Sequence, residues 1–209
     1  DEFYDVSGEG YRHGFSFFRT LRYGPDFTHF DYVNPDAPIG GDLVLPAVGT
    51  FNSFTPWIQK GINPRGYGFV GAEIFLFDRI LEPGDDDSAA QYARLGEISA
   101  ADDYSWFKVR INPKARWHDG VPVTPEDIVF TVDFCVNNAA AAIRTGLGHF
   151  RAEVVDEDEA IIHIVDPAYR NPSAGLSVGH LPILPAHYWK DRDITNCLLY
   201  TSDAADELL

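Results

Sequence analysis

The chain has 209 residues, 45% of them hydrophobic and 14% aromatic, enough apolar material to bury one or two ordinary cores. With 32 acidic against 16 basic residues its formal charge is -16, which repels nucleic acid and anionic lipid and leaves DNA or RNA without a foothold. No apolar run approaches the roughly 20 residues of a membrane-spanning helix, and the acidic, Gly-containing start has none of the marks of a signal peptide.

In chain order, residues 11–41 are rich in aromatics, Gly and Pro without a sustained period, and predict an irregular segment lying on a core. Residues 42–48 follow Gly40-Gly41 and read as a strand, with Pro46 placing it at an edge or strand end. Residues 70–81 set Val70, Ile74, Phe77 and Ile80-Leu81 at helical intervals before Pro83-Gly84, which predicts an amphipathic helix. Asp85-Asp86-Asp87 reads as a solvated acidic loop, because it lacks the spaced carboxylates of a calcium loop.

Residues 93–99 and 105–111 flank Asp102-Asp103 and predict an antiparallel hairpin. Thr124-Pro125-Glu126-Asp127 supplies an N-cap, a proline at the first helical position and two carboxylates against the macrodipole, so a helix should run from Pro125 to about Asn137. Its buried stripe would be Ile128, Val132 and Cys135-Val136, with Cys135 a core residue. Residues 153–155 and 160–165 predict a second hairpin around an acidic turn, after which four prolines cut the chain into short pieces.

Residues 197–207 read as the in-frame translation of a common transposon sequencing adaptor, so 197–209 is taken as a non-native tail and Cys197 as no disulfide partner.

Catalytic signals are weak. His118-Asp119-Gly120 is read as a turn, since neighbouring side chains on an extended segment diverge and Asp-Gly favours tight turns. The seven histidines are scattered, with no His-x-x-x-His or Cys-x-x-Cys spacing for a metal, no nucleophile elbow and no phosphate-cradling loop. Neither enzyme, cofactor nor metal is expected. The candidate ligand residues are Thr50, Phe51, Asn52, Ser53 and Phe54, after the first strand, and Arg65, Gly66 and Tyr67, before the following helix. Asn52, Ser53, Arg65 and Tyr67 carry groups that can meet a peptide backbone or carboxylate.

The run Ala115-Arg116-Trp117-His118-Asp119-Gly120-Val121-Pro122-Val123-Thr124-Pro125-Glu126-Asp127-Ile128-Val129-Phe130-Thr131 resembles the signature of the family 5 extracellular solute-binding proteins of ABC importers. Gly40-Gly41-Asp42-Leu43, Gly49-Thr50-Phe51-Asn52-Ser53-Phe54 and Leu181-Pro182-Ile183-Leu184-Pro185-Ala186-His187-Tyr188-Trp189 follow the same pattern. Leu21-Arg22-Tyr23-Gly24-Pro25-Asp26-Phe27-Thr28-His29-Phe30-Asp31-Tyr32-Val33-Asn34-Pro35-Asp36-Ala37-Pro38 is similar to the Yej-type branch, associated with oligopeptides and microcin C.

The resemblance implies an α+β (mixed) fold of the periplasmic binding protein-like class II. Residues 1–74 would be the opening strand region of the first lobe and 75–196 part of its inserted hairpin-and-helix subdomain, with the second lobe absent. It implies a monomeric periplasmic receptor without membrane insertion that captures an oligopeptide for inner-membrane ABC permease subunits. The alternatives are a receptor for nickel, an oligosaccharide or a modified peptide, or an extracellular hydrolase working through paired carboxylates.

Overall fold

The structure is a computed structural model that describes residues 3–42, 44, 50, 77–139, 141–192 and 194. In chain order it contains β1 (Tyr4–Asp5), β2 (Gly14–Ser16), β3 (Thr20–Leu21), β4 (Leu81–Gly84), β5 (Asp87–Ala93), β6 (Gly96–Ala100) and β7 (Trp106–Ile111). Helices α1 (Pro125–Asn137) and α2 (Ala141–Leu147) precede β8 (Phe150–Asp156) and β9 (Glu159–Ile164), and α3 (Pro172–Gly179) and α4 (Ala186–Trp189) follow.

Every recorded strand pairing is antiparallel: a β1-β3 ribbon, a β2-β5-β4 sheet, and a four-stranded β6-β7-β9-β8 sheet. Residues 9–16 join the last two sheets. Gly14–Ser16 pairs with β5, while Arg12 bridges Ile98 on the outer edge of β6 and the Ser99 hydroxyl donates to the Glu9 carbonyl at 2.6 Å. A short N-terminal segment therefore closes one sheet edge that would otherwise present unpaired backbone.

The main core lies between the four-stranded sheet and the helices. Phe107 and Val109 of β7, Phe150 of β8 and Ile162 and Ile164 of β9 meet Ile128, Val132 and Cys135 of α1, all of them buried. Helix α1 starts where its sequence predicts: Thr124 is extended at φ -127°, Pro125 occupies the first turn, and the apolar positions three and four apart face the sheet. Cys135 is a free, fully buried thiol whose pKa burial pushes up to about 12, so it stays protonated and unreactive.

The hairpins β6-β7 and β8-β9 form as expected, and residues 11–41 are mostly irregular apart from β2 and β3. Residues 79–84 differ. Arg79 bridges Pro182 and Leu81–Gly84 is a strand, so the expected helix does not extend to Leu81; its residues 70–76 lie outside the described residues. Ile80 and Leu81 are both fully buried, and a short continuous apolar run fits either period. Pro83 is tolerated because β4 is the edge of its sheet. The strand expected at 42–48 lies almost wholly outside the described residues, as do residues 195–209.

Candidate functional site

Of the eight sequence-predicted ligand residues, Thr50 is exposed and without regular structure, and Phe51, Asn52, Ser53, Phe54, Arg65, Gly66 and Tyr67 lie outside the described residues. Among the described residues there is no group of three His, Cys, Asp or Glu side chains that could hold a metal ion. What the structure does lay out is how the signature motifs are held.

Asp127 is the hub of the first. Its carboxylate is only 2% exposed and accepts from the Thr124 amide at 2.9 Å, the Trp117 indole at 3.0 Å and the Ala186 amide at 2.7 Å. One turn later, the buried Thr131 hydroxyl donates to the Asp127 carbonyl and accepts from the Leu184 amide at 2.9 Å. Two side chains on one face of α1 thus clamp residues 184–186, bringing the motif at 115–131 against the motif at 181–189.

The turn at His118-Asp119-Gly120 is a turn, with Gly120 at φ +85° and the Trp117 amide bonded to the Val121 carbonyl. His118 and Asp119 do not act together; Asp119 instead meets His187 of α4 at 2.8 Å. That contact first, and the Val121 amide second, hold the Asp119 carboxyl below its usual value of 3.8. Its folded pKa is depressed, so its contribution is present above the unfolded pKa and lost as pH falls through the folded one. In acid melts, the loss of stability below about pH 4 should become shallower in Asp119→Asn than in the parent chain. Identical slopes would show the contact to be idle.

The motif at 21–38 builds a second, aromatic core. Tyr23, Phe27, Phe30 and Tyr92 pack with ring centroids 5.2–5.5 Å apart. The buried Tyr92 hydroxyl donates to Asp87 at 2.6 Å and accepts from the Arg22 and Tyr23 amides. The Tyr23 hydroxyl donates to Asp86 and accepts from the Asp31 amide at 2.9 Å. Asp85 and Asp86 form the exposed acidic turn that was expected, yet Asp86 and Asp87 also serve as structural acceptors for the aromatic box, with β5 starting at Asp87. Tyr92→Phe should cost about 1–3 kcal/mol, since two amides and a carboxylate lose a buried partner. Chemical denaturation measures it, and an unchanged midpoint would contradict the assignment.

No family model matches the chain. Among curated proteins, it is 36% identical over 179 residues to the uncharacterized protein YejA of Escherichia coli K12, covering 85% of this chain and 28% of that one. It is 33% identical over 179 residues to the peptidoglycan-binding protein YepA of Agrobacterium fabrum, with 84% and 29% covered, and 32% identical over 197 residues to the probable peptide-binding protein YejA of the same organism, with 90% and 31% covered. These likenesses agree with the resemblance of the sequence to the Yej-type, family 5 solute-binding proteins. The chain spans less than a third of the length of these Yej-type relatives.

Among solved structures, NikZ of Campylobacter jejuni in complex with Ni(L-His) matches at TM-score 0.50 and 18% identity, covering 58% of this chain and 24% of that one. The chain accordingly has the periplasmic binding protein-like fold in part, mixed α and β as expected. No helix among the described residues is long and apolar enough to cross a membrane.

Proposed function

We propose that the parent protein is the substrate-binding component of an ABC importer, which captures an oligopeptide in the periplasm and presents it to inner-membrane permease subunits. The observation that supports this most is the match over 90% of the chain to a protein named "Probable peptide-binding protein YejA". In this reading the protein makes and breaks no bond. The ligand would be held by hydrogen bonds and by closure of two lobes. Residues 1–74 and 75–196 would be the opening part and inserted subdomain of the first lobe. Thr50, Phe51, Asn52, Ser53, Phe54, Arg65, Gly66 and Tyr67 would contribute its side of the cleft. The Asp127 and Thr131 clamp would then hold scaffold and touch no ligand.

The likeness to a protein named as peptidoglycan-binding favours one second reading within the same class, a peptide portion of peptidoglycan. A thermal-shift screen of the whole gene product separates the readings. Free oligopeptides, murein stem peptides, nickel and oligosaccharides are each added at about a hundredfold excess over a Kd, where binding adds about 2.7 kcal/mol of stability. A shift with oligopeptides supports the first reading and a shift with stem peptides alone the second. A shift with nickel or oligosaccharide alone overturns both, and turnover of any of them would make the protein an enzyme.

A further inference from the structure

Phe17 and Phe18 form the tip of the turn between β2 and β3. The Arg19 amide donates to the Ser16 carbonyl at 3.1 Å, which closes the turn, and the Phe18 amide donates to the Ser16 hydroxyl at 3.2 Å. Turn tips are ordinarily polar, because they project into water. This one carries two phenylalanines, 39% and 72% exposed, packed edge to face at 5.2 Å. Phe3, 61% exposed, joins Phe18 in lining a cleft of about 340 Å³, together with Ser16, Thr20 and Ser88.

The tip is held at a conformational cost. Arg19, which follows it, sits at φ +61° and Tyr104 at φ +57°, and among the described residues these are the two non-glycine residues in the left-handed region. They hold each other. Arg19 Nε donates to the Tyr104 hydroxyl at 3.1 Å, and its terminal nitrogens donate to the carbonyl and carboxylate of Asp102 at 2.9 and 3.3 Å. Two turns from different sheets thus fix one another, and the fold presents the phenylalanines in place.

We propose that Phe3, Phe17 and Phe18 are a seam on which the rest of the parent protein packs, through a segment of its chain beyond residue 196 that brings apolar side chains into the cleft. This chain spans less than a third of the length of its Yej-type relatives, so a parent of similar length carries ample further chain to cover the patch. The cleft also adjoins the β1-β3 ribbon, since Phe3 leads into β1 and Thr20 opens β3. That ribbon has two residue pairs, and both residues of β1 are exposed. So short a ribbon is marginal in water unless more structure packs on it.

The chemistry of the patch selects a lasting partner over a passing one. Its charges are already engaged: Arg19 pairs with Asp102, Arg22 pairs with Asp31 at 3.0 Å, and Asp86 and Asp87 accept from Tyr23 and Tyr92. What remains open is aromatic surface beside hydroxyls, with no unpaired charge to steer a transient encounter. Permanent interfaces are the more apolar kind. The seam holds whichever solute the parent captures.

Photo-cross-linking of the whole gene product tests this. With Phe18→p-benzoylphenylalanine, irradiation should give an intrachain cross-link to a residue beyond position 196, mapped by peptide mass spectrometry, with and without added oligopeptide. Should the larger side chain prevent folding, hydroxyl-radical footprinting of the unaltered gene product reads the same contact. Phe3 and Phe18 should there lose most of the reactivity that they show in the 209-residue chain. A cross-link confined to residues 1–196, or one to a second molecule, whether peptide, permease or another copy, would overturn the proposal. So would phenylalanines that stay as reactive in the whole gene product as in the shorter chain, or that become protected only when oligopeptide is added.

Discussion

Asp127→Ala is expected to destabilise the protein by about 3–5 kcal/mol, with the damage centred on residues 184–189. The carboxylate is buried and its two oxygens satisfy three donors, from Thr124, Trp117 and Ala186. Removing it strands donors that water reaches poorly, and each orphan costs about 1–3 kcal/mol. Asp127→Asn should fall between, since the amide keeps one acceptor oxygen but sets two N–H groups where acceptors are needed. Urea denaturation gives the magnitude, and hydrogen exchange at Leu184 and Ala186 gives the location. A uniform loss of protection, or a change under 1 kcal/mol, would show that the hub is not what holds α4.

Phe107→Ala is expected to cost a comparable amount, about 3–5 kcal/mol, by a different mechanism. Phe107 is fully buried in β7, between β6 and β9, and packs edge-on against Phe15 of β2 at a ring distance of 5.8 Å and nearly parallel to Tyr104 at 6.4 Å. Truncation leaves a cavity where the two sheets share a core, so it should loosen β2 as well as the four-stranded sheet. Phe107→Leu keeps most of the volume and should cost under about 2 kcal/mol. Equal losses in the two variants would mean that the aromatic contacts matter and the volume does not.

Much of the subdomain was legible because its cues are local. A threonine, a proline and a period of three and four locate α1 at Pro125–Asn137, and two hairpins follow from short β-branched runs around acidic turns. Other parts were not. Strand β5 carries Asp87-Ser88-Ala89-Ala90-Gln91, residues that do not favour strands, and it is extended because β2 and β4 pair with it on both sides. Residues 79–81 look helical by period, yet Arg79 forms a bridge to Pro182 and Leu81 opens strand β4. The candidate ligand residues fall, apart from Thr50, outside the described residues, so their reading rests on the sequence resemblance.

The sequence by itself carried the family resemblance, the helix under the signature motif, the hairpins and the core placement of Cys135. Each depends on contacts within a few residues or on a motif long enough to be specific. Only the tertiary structure decided the roles of the polar residues. Asp127 reads as a helix-start carboxylate and proves to hold a segment 59 positions away. Asp86 and Asp87 read as solvated and accept from tyrosines, and His187, legible only as part of a motif, meets Asp119. A carboxylate takes its partner from whichever donor the packed chain brings within 3 Å, and no local pattern specifies that donor.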